Sequence, residues 1–206
     1  MAVPQVLRGE AMIILASASP RRRELLEQIG CQFQIEVSDA EELKGEDIEP
    51  DKLVMENAHL KAAAVAKSYP DIPVLGADTV VSLDGKIFGK PRDEEQARTM
   101  LQSLSGRLHH VSTGIVLMWQ GKLWQACETT EVVFAPLTTA DISRYIASGE
   151  PADKAGAYGI QGRGAVFIKE IRGSYSNVVG LPLHCLSRLA AKAGIDLYGN
   201  GKGSSS

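Results

Sequence analysis

Apolar positions along this chain switch between short β-like runs and the three-to-four spacing of helices, and no segment repeats. Residues 13–15 begin an apolar strand that runs directly into a helix. Ser19 reads as its N-cap, Pro20 as its first residue, and Leu25, Leu26 and Ile29 as its apolar stripe. Gly30 stands where a left-handed residue ends such a helix. A short strand is expected over 31–37. Pro50 and Asp51 then open a second helix to about residue 68, with Leu53, Leu60 and Ala64 toward the core and Asn57 and Lys61 together on another face. Residues 74–83 form a β-rich apolar run closed by the Asp84-Gly85 turn, which predicts a hairpin returning through 86–88.

The second half has its own punctuation. Asp93 and Gln96 form a capping pattern for a helix through Met100, Leu101 and Leu104, ended at Gly106. Residues 111–119 and 123–134 flank a Gln120-Gly121 turn and predict a long antiparallel hairpin. Thr138 with Asp141 starts a helix carrying Ile142, Tyr145 and Ile146, stopped by Gly149. After a glycine-rich loop, a strand is expected over 165–171, and Pro182 begins a last helix through Leu186 and Leu189 to Gly194. The sum is an α/β fold with a mixed β-sheet, since two hairpins count against an all-parallel dinucleotide-binding arrangement.

Composition narrows the class. With 206 residues, 44% of them hydrophobic, the chain can bury a full core as one domain or as two lobes sharing one sheet. A net charge of −3 argues against bulk nucleic-acid or bilayer binding, so a basic cluster reads as a local site for a small anion. Cys31, Cys127 and Cys185 are odd in number, far apart and without metal-ligand spacing, which suits reduced thiols in the cytoplasm. No apolar run approaches the ~18 to 20 residues of a membrane span, and residues 1–11 lack the apolar middle of a secretion signal. The expected organisation is one domain over 13–195, an extension over 1–12, and a Gly/Ser-rich disordered tail over 196–206.

Four places could carry chemistry. Arg21, Arg22 and Arg23 occupy the first turn of the first helix, the positive end of its dipole, which becomes sensible if an anion sits there. The plainer reading is an exposed basic turn paired with Glu24 and Glu27. Asp78 lies in the middle of an apolar strand, a costly position for a carboxylate unless it is paired, hydrogen-bonded or at a cleft. There it could accept a proton from water or hold a divalent cation, with Thr79 offering a hydroxyl to the opposite face. Glu41 and Glu42 on a flexible loop suit Mg²⁺ bridged to phosphates, with Lys61 and Lys90 as point charges. Residues 150–164 combine Gly156, Gly159, Gly162 and Gly164 with Asp153, Lys154, Tyr158 and Gln161, a loop able to approach a ligand closely and to read a nucleobase edge through the Gln161 amide. His109 and His110 read as structural, because adjacent strand residues point to opposite faces. No Ser sits in a nucleophile elbow, and no Cys has a catalytic context.

In their order, LASASPRRRELL, LGADTVV, GKP, SGRLHHVSTG and EPADKAGAYGIQGRGAVFIKEIRGSYSNVVGLPL resemble the Maf family, nucleoside triphosphate pyrophosphatases once described as septum-formation inhibitors. The resemblance covers roughly residues 13–195. It implies an elongated mixed sheet flanked by helices in two lobes, with a nucleotide cleft between them, related to that of inosine triphosphate pyrophosphatases. It implies hydrolysis of a nucleoside triphosphate to the monophosphate and pyrophosphate, with Mg²⁺ or Mn²⁺ as cofactor. Asp78 then falls where the family has its proton acceptor for attack at the α-phosphorus, and Ser17, Arg21 and Arg22 where it grips phosphates. Glu42, as metal partner, and Lys61, Lys90 and Lys154 fall at further charged cleft positions. Arg21, Thr79 and Gln161 match the members acting on dTTP and UTP rather than 7-methyl-GTP. The implied partner is a small-molecule nucleotide, with no nucleic acid or membrane, and the family leaves room for a homodimer. The alternatives are a nucleotide-sensing regulator of division without turnover, and an enzyme for noncanonical purine triphosphates.

Overall fold

Strands β1 (Ile13–Leu15) and β2 (Phe33–Ile35) pair in parallel, and β1 pairs in parallel on its other side with β3 (Val74–Leu83). The computed structural model describes residues 13–45 and 48–198. The expected extension over 1–12 and the tail beyond residue 198 lie outside the described residues. Strand β4 (Lys86–Phe88) folds back antiparallel on the far end of β3, across a turn in which Asp84 and Gly85 both have positive φ. Strands β5 (Leu108–Trp119), β6 (Lys122–Phe134) and β7 (Ile168–Arg172) extend the sheet antiparallel from the other edge of β3. The result is a seven-stranded mixed sheet in the order β2-β1-β3-β5-β6-β7, with β4 beside β3.

Helices α1 (Pro20–Gln28) and α2 (Pro50–Ala66) precede β3, and α3 (Glu94–Leu104) and α4 (Thr139–Ile146) follow it. Short α5 (Tyr175–Val179) leads into α6 (Leu183–Ala193). Local chemistry fixes most of these ends. Asp93 accepts from the Gln96 amide, while Thr138 and Asp141 cap each other reciprocally. Three expectations need correction. The strand expected over 165–171 begins only at Ile168, because Arg163–Phe167 is wound into a 3-10 turn. Helix α5 was not expected, since five residues carry no readable period. On α2 the buried face is Leu53, Val54, Asn57, Ala58, Ala62 and Val65, whereas Leu60 and Ala64 are only partly buried.

Strand alternation divides the core. On one face of the sheet, Leu75, Ala77, Ile115 and Leu117 pack with α1 and α6. Farther along the same strands, Val81, Leu83 and Val111 pack with α3 and α4 around Phe134, Tyr158 and Phe167. Between these two clusters β3 and β5 place the opposed pair Thr79 and Thr113. The polar belt is completed by buried Arg22, Thr130 and Asn177, the Asn177 amide donating to the Val111 carbonyl and the Thr130 hydroxyl. The opposite face carries α2. There Gly76 and Gly114 meet Ala58, Ala62 and Val54, small surfaces that let helix backbone lie directly on the strands.

His109 is fully buried in the second cluster, edge-to-face with Phe134, its Nε2 2.8 Å from the Tyr158 hydroxyl and its Nδ1 without a partner. Burial pushes its pKa down from 6.5 to about 4. The folded state therefore binds fewer protons than the unfolded state in that window, so stability is full above pH 6.5 and falls as pH drops toward about 4. Denaturant unfolding across this range should lose about 3 kcal/mol through this group, and His109→Gln should flatten that limb. An unchanged pH slope in the variant would remove His109 from the account of acid sensitivity.

Candidate active site

Strands β1 and β4 share one edge of β3 but leave its middle uncovered: β1 pairs with Val74 and Leu75, β4 with Val81 to Leu83. Asp78 and Thr79 lie in that open stretch and, as neighbours on a strand, point to opposite faces. Around this gap the described residues gather most of the expected site.

On the α2 face, Asp78 is 8% exposed. Its Oδ1 accepts from the Lys61 ammonium at 2.7 Å and its Oδ2 from the Asn57 amide at 3.2 Å. Lys61 also reaches Glu42 Oε1 at 2.9 Å, so a single ammonium bridges two carboxylates. Burial would raise the Glu42 pKa, but the Lys61 hydrogen bond and the nearby charges of Lys61, Lys90 and Arg22 together bring it below the usual range. Asn57 was foreseen only as a face-mate of Lys61, yet it organises the acidic loop. Its Oδ1 accepts from the Leu43 amide at 2.7 Å and its Nδ2 donates to the Leu43 carbonyl at 3.2 Å. The readable signal was a polar residue of poor helix propensity one turn from a lysine, in a helix otherwise rich in alanine.

On the other face Arg22 is buried to the same degree as Asp78. Its guanidinium donates to Gly180 O at 2.8 Å, Ser17 Oγ at 3.0 Å and Thr79 Oγ1 at 3.0 Å. Burial lowers its pKa, and the charge of Asp78 opposes that shift. Three of the five guanidinium N–H groups are thus engaged within the protein, leaving two for a ligand. Ser19 does sit at the N-cap, but its side chain makes no cap bond. Of the plain ion pairs expected along α1, Arg23 with Glu27 forms, at 3.5 Å between half-exposed groups, and contributes little.

Arg21 leaves α1 for the glycine-rich loop. Its Nη1 donates to Asp153 Oδ2 at 2.8 Å, and Lys154 donates to Asp153 Oδ1 at 2.7 Å. Lys154 also donates to the Glu150 carbonyl at 2.8 Å. Lys90 is exposed after β4, and the neighbouring Gly89 carbonyl accepts from the Gly156 amide, which ties that segment to the loop. Gln161 is exposed at the loop's far end, and Glu41 points to solvent beside Glu42. Tyr158, expected as a ring available to a ligand, is instead turned inward onto His109 and Phe134, where burial raises its hydroxyl pKa.

Chemically, the open edge offers a buried carboxylate held by two donors, with cations on either side of the strand. A triphosphate laid across the edge would meet Ser17, Arg21 and Arg22 from one side and Lys61 from the other. Among the described residues no three His, Cys, Asp or Glu side chains converge as metal ligands. Two carboxylates sharing one cation nevertheless suit Mg²⁺, which takes one or two protein oxygens and completes its shell with water and phosphate.

Comparison with known proteins agrees with the resemblance. The profile of the family described as Maf-like protein matches residues 12–193. A dTTP/UTP pyrophosphatase of Bacillus cereus (strain ATCC 10987 / NRS 248) is 50% identical over 191 residues, covering 92% of this chain and 94% of its own. A dTTP/UTP pyrophosphatase of Bacillus thuringiensis subsp. konkukian (strain 97-27) is 49% identical over 185 residues, covering 90% and 97%. Among solved structures, the Staphylococcus aureus Ham1 protein aligns at 17% identity with a TM-score of 0.42, over 59% of this chain and 72% of that one.

Proposed function

The chain belongs to the Maf-like family, and on that footing we propose that it hydrolyses dTTP and UTP, and pyrimidine triphosphates modified on the base, to the monophosphate and pyrophosphate. It is a hydrolase, a nucleoside triphosphate pyrophosphatase. The observation that carries the site assignment is the placement of Asp78: nearly buried, hydrogen-bonded to Lys61 and Asn57, and at the one stretch of the β3 edge that neither flanking strand covers.

In this reading Asp78 orients the attacking water and takes its proton as the α-phosphorus is approached. Lys61 and Asn57 fix the orientation of the carboxylate. Arg21, Arg22, Lys90 and Lys154 stabilise the charge gathering on the departing pyrophosphate, with Ser17 and Thr79 aligning Arg22. Glu42 is the residue that would hold Mg²⁺ or Mn²⁺, which when bound would neutralise triphosphate charge. Gln161, having both donors and acceptors, reads the pyrimidine edge. In this reading the two core clusters on one sheet face are the two lobes of a unit over 13–195, and the nucleotide lies at the uncovered β3 edge between them. No described helix is long and apolar enough to cross a membrane. A small soluble nucleotide as substrate suits the cytoplasm, and the family leaves room for a homodimer.

The test is a panel of dTTP, UTP, dCTP, GTP and ITP with Mg²⁺, scored for pyrophosphate and monophosphate. dTTP and UTP should be preferred, with the two products in equal amounts. Binding without turnover would instead make the protein a nucleotide sensor, and a preference for ITP would make it a purine enzyme.

A further inference from the structure

The glycine-rich loop needs something to wind around, and the structure supplies a carboxylate that the reaction itself does not use. Gly149, with φ +74°, ends the α4 segment and releases Glu150 at the head of a 3-10 turn. Glu150 Oε1 accepts from the Tyr145 hydroxyl at 2.9 Å and the Gly164 amide at 3.2 Å, and Oε2 accepts from the Arg163 amide at 2.8 Å. The Tyr145 hydroxyl accepts in turn from the Gly159 amide at 3.1 Å. The chain is therefore pinned on both sides of residues 160–162, with Gln161 at the centre. At Gly162 an added Cβ would come within 2.5 Å of Glu150 Oε1, so the carboxylate lies directly against that backbone. At Gly159 an added Cβ would meet the Lys154 side chain at 2.6 Å.

We propose that Glu150 is the positioning residue for base recognition: by gathering the Tyr145 hydroxyl and the Arg163 and Gly164 amides onto one carboxylate, it sets where the Gln161 amide stands. The same residue's carbonyl holds Lys154, which joins Asp153 and, through it, Arg21. One residue, through its carboxylate and its backbone carbonyl, thus touches both the base-reading end of the cleft and its phosphate-binding end. Only a carboxylate suits the post. All three groups facing it are donors, so an amide of the same shape would turn its own N–H toward one of them. Burial favours the protonated acid, but the two amides and the tyrosine outweigh it and keep Glu150 ionised at neutral pH.

The inference rests on the nucleotide reading above, and its test separates the two. Glu150→Gln and Glu150→Asp in the full chain would be assayed with dTTP, UTP, dCTP and GTP, alongside thermal unfolding. In Glu150→Gln the KM for dTTP and UTP should rise about tenfold with kcat within about threefold, the loss of a charged acceptor acting on binding rather than on the chemical step. Preference over dCTP and GTP should shrink in parallel, and Glu150→Asp should recover part of it. Unchanged KM and nucleotide ratios, or an equal fall of kcat on every nucleotide, would overturn the proposal. Where Glu150→Gln unfolds, Tyr145→Phe removes the hydroxyl that donates to Glu150 and accepts from the Gly159 amide, leaves the Arg163 and Gly164 bonds in place, and should shift KM the same way by less; an unmoved KM there would also overturn it. A wild-type enzyme that prefers another nucleotide defeats the substrate reading alone, and the same criteria then apply to the preferred nucleotide.

Discussion

Asp78→Asn should leave a folded protein that releases pyrophosphate from dTTP ~10² to 10⁴-fold more slowly, the usual loss when a positioned general base is removed. The substitution preserves volume, and the side chain sits at a sheet edge rather than within an apolar cluster, so packing is kept. Lys61 retains Glu42 as a partner at 2.9 Å, which limits the penalty of leaving the ammonium without Asp78. An amide cannot take the water's proton at neutral pH, so the loss should fall on kcat. Steady-state kinetics with a far-ultraviolet spectrum and an unfolding midpoint would separate a dead site from a misfolded one. Turnover close to wild type would remove Asp78 from the reaction.

The second large effect is structural. Gly76→Ala should destabilise the protein by about 3 kcal/mol or more, because the new methyl cannot be accommodated by rotating a side chain. Its Cβ would lie 2.2 Å from the Ala58 carbonyl oxygen and 2.8 Å from the Ala62 amide, both backbone atoms of α2. Helix α2 would have to lift from the sheet, carrying Asn57 and Lys61 away from Asp78. A drop in midpoint of roughly 6 to 12 °C is expected for a chain of this size, together with lost activity. Gly89→Ala is the matched control, since nothing lies within 4 Å of its Cβ. A Gly76→Ala protein that melts with the wild type would contradict the close helix-sheet approach on which the site depends.

What the sequence revealed and what it hid follow from how local each cause is. The Asp84-Gly85 and Gln120-Gly121 turns were readable because glycine, and to a lesser degree aspartate, takes positive φ readily, and Gln120 joins Gly121 in that region. The caps at Asp93 and Thr138 were equally readable. Helix α2 was placed within two residues, but its buried face was misjudged. Its run of alanines carries no strong stripe, and the contact face is chosen by Gly76 and Gly114 on distant strands. The late start of β7 has a similar origin, since Glu150 draws the Arg163 and Gly164 amides into a tight turn and leaves Val166 80% exposed.

The site divides the same way. An isolated carboxylate in an apolar strand announced Asp78, and an unfavourable triple arginine announced the α1 turn. Neither pattern could disclose that Arg22 is oriented by the Gly180 carbonyl, 158 positions along the chain, or that Asp78 and Thr79 address opposite faces of an uncovered strand edge. Glu150 carried no signal of its own, because its three donors come from residues before and after it whose approach only the folded loop creates.

The claim at the centre is that water primed by Asp78 attacks the α-phosphorus and pyrophosphate leaves intact. Hydrolysis of dTTP in water labelled with a heavy oxygen isotope, followed by mass analysis of both products, reads this directly. The label should appear in thymidine monophosphate and be absent from pyrophosphate. Label in pyrophosphate, or orthophosphate as the first product, would place the attack at another phosphorus and contradict the account.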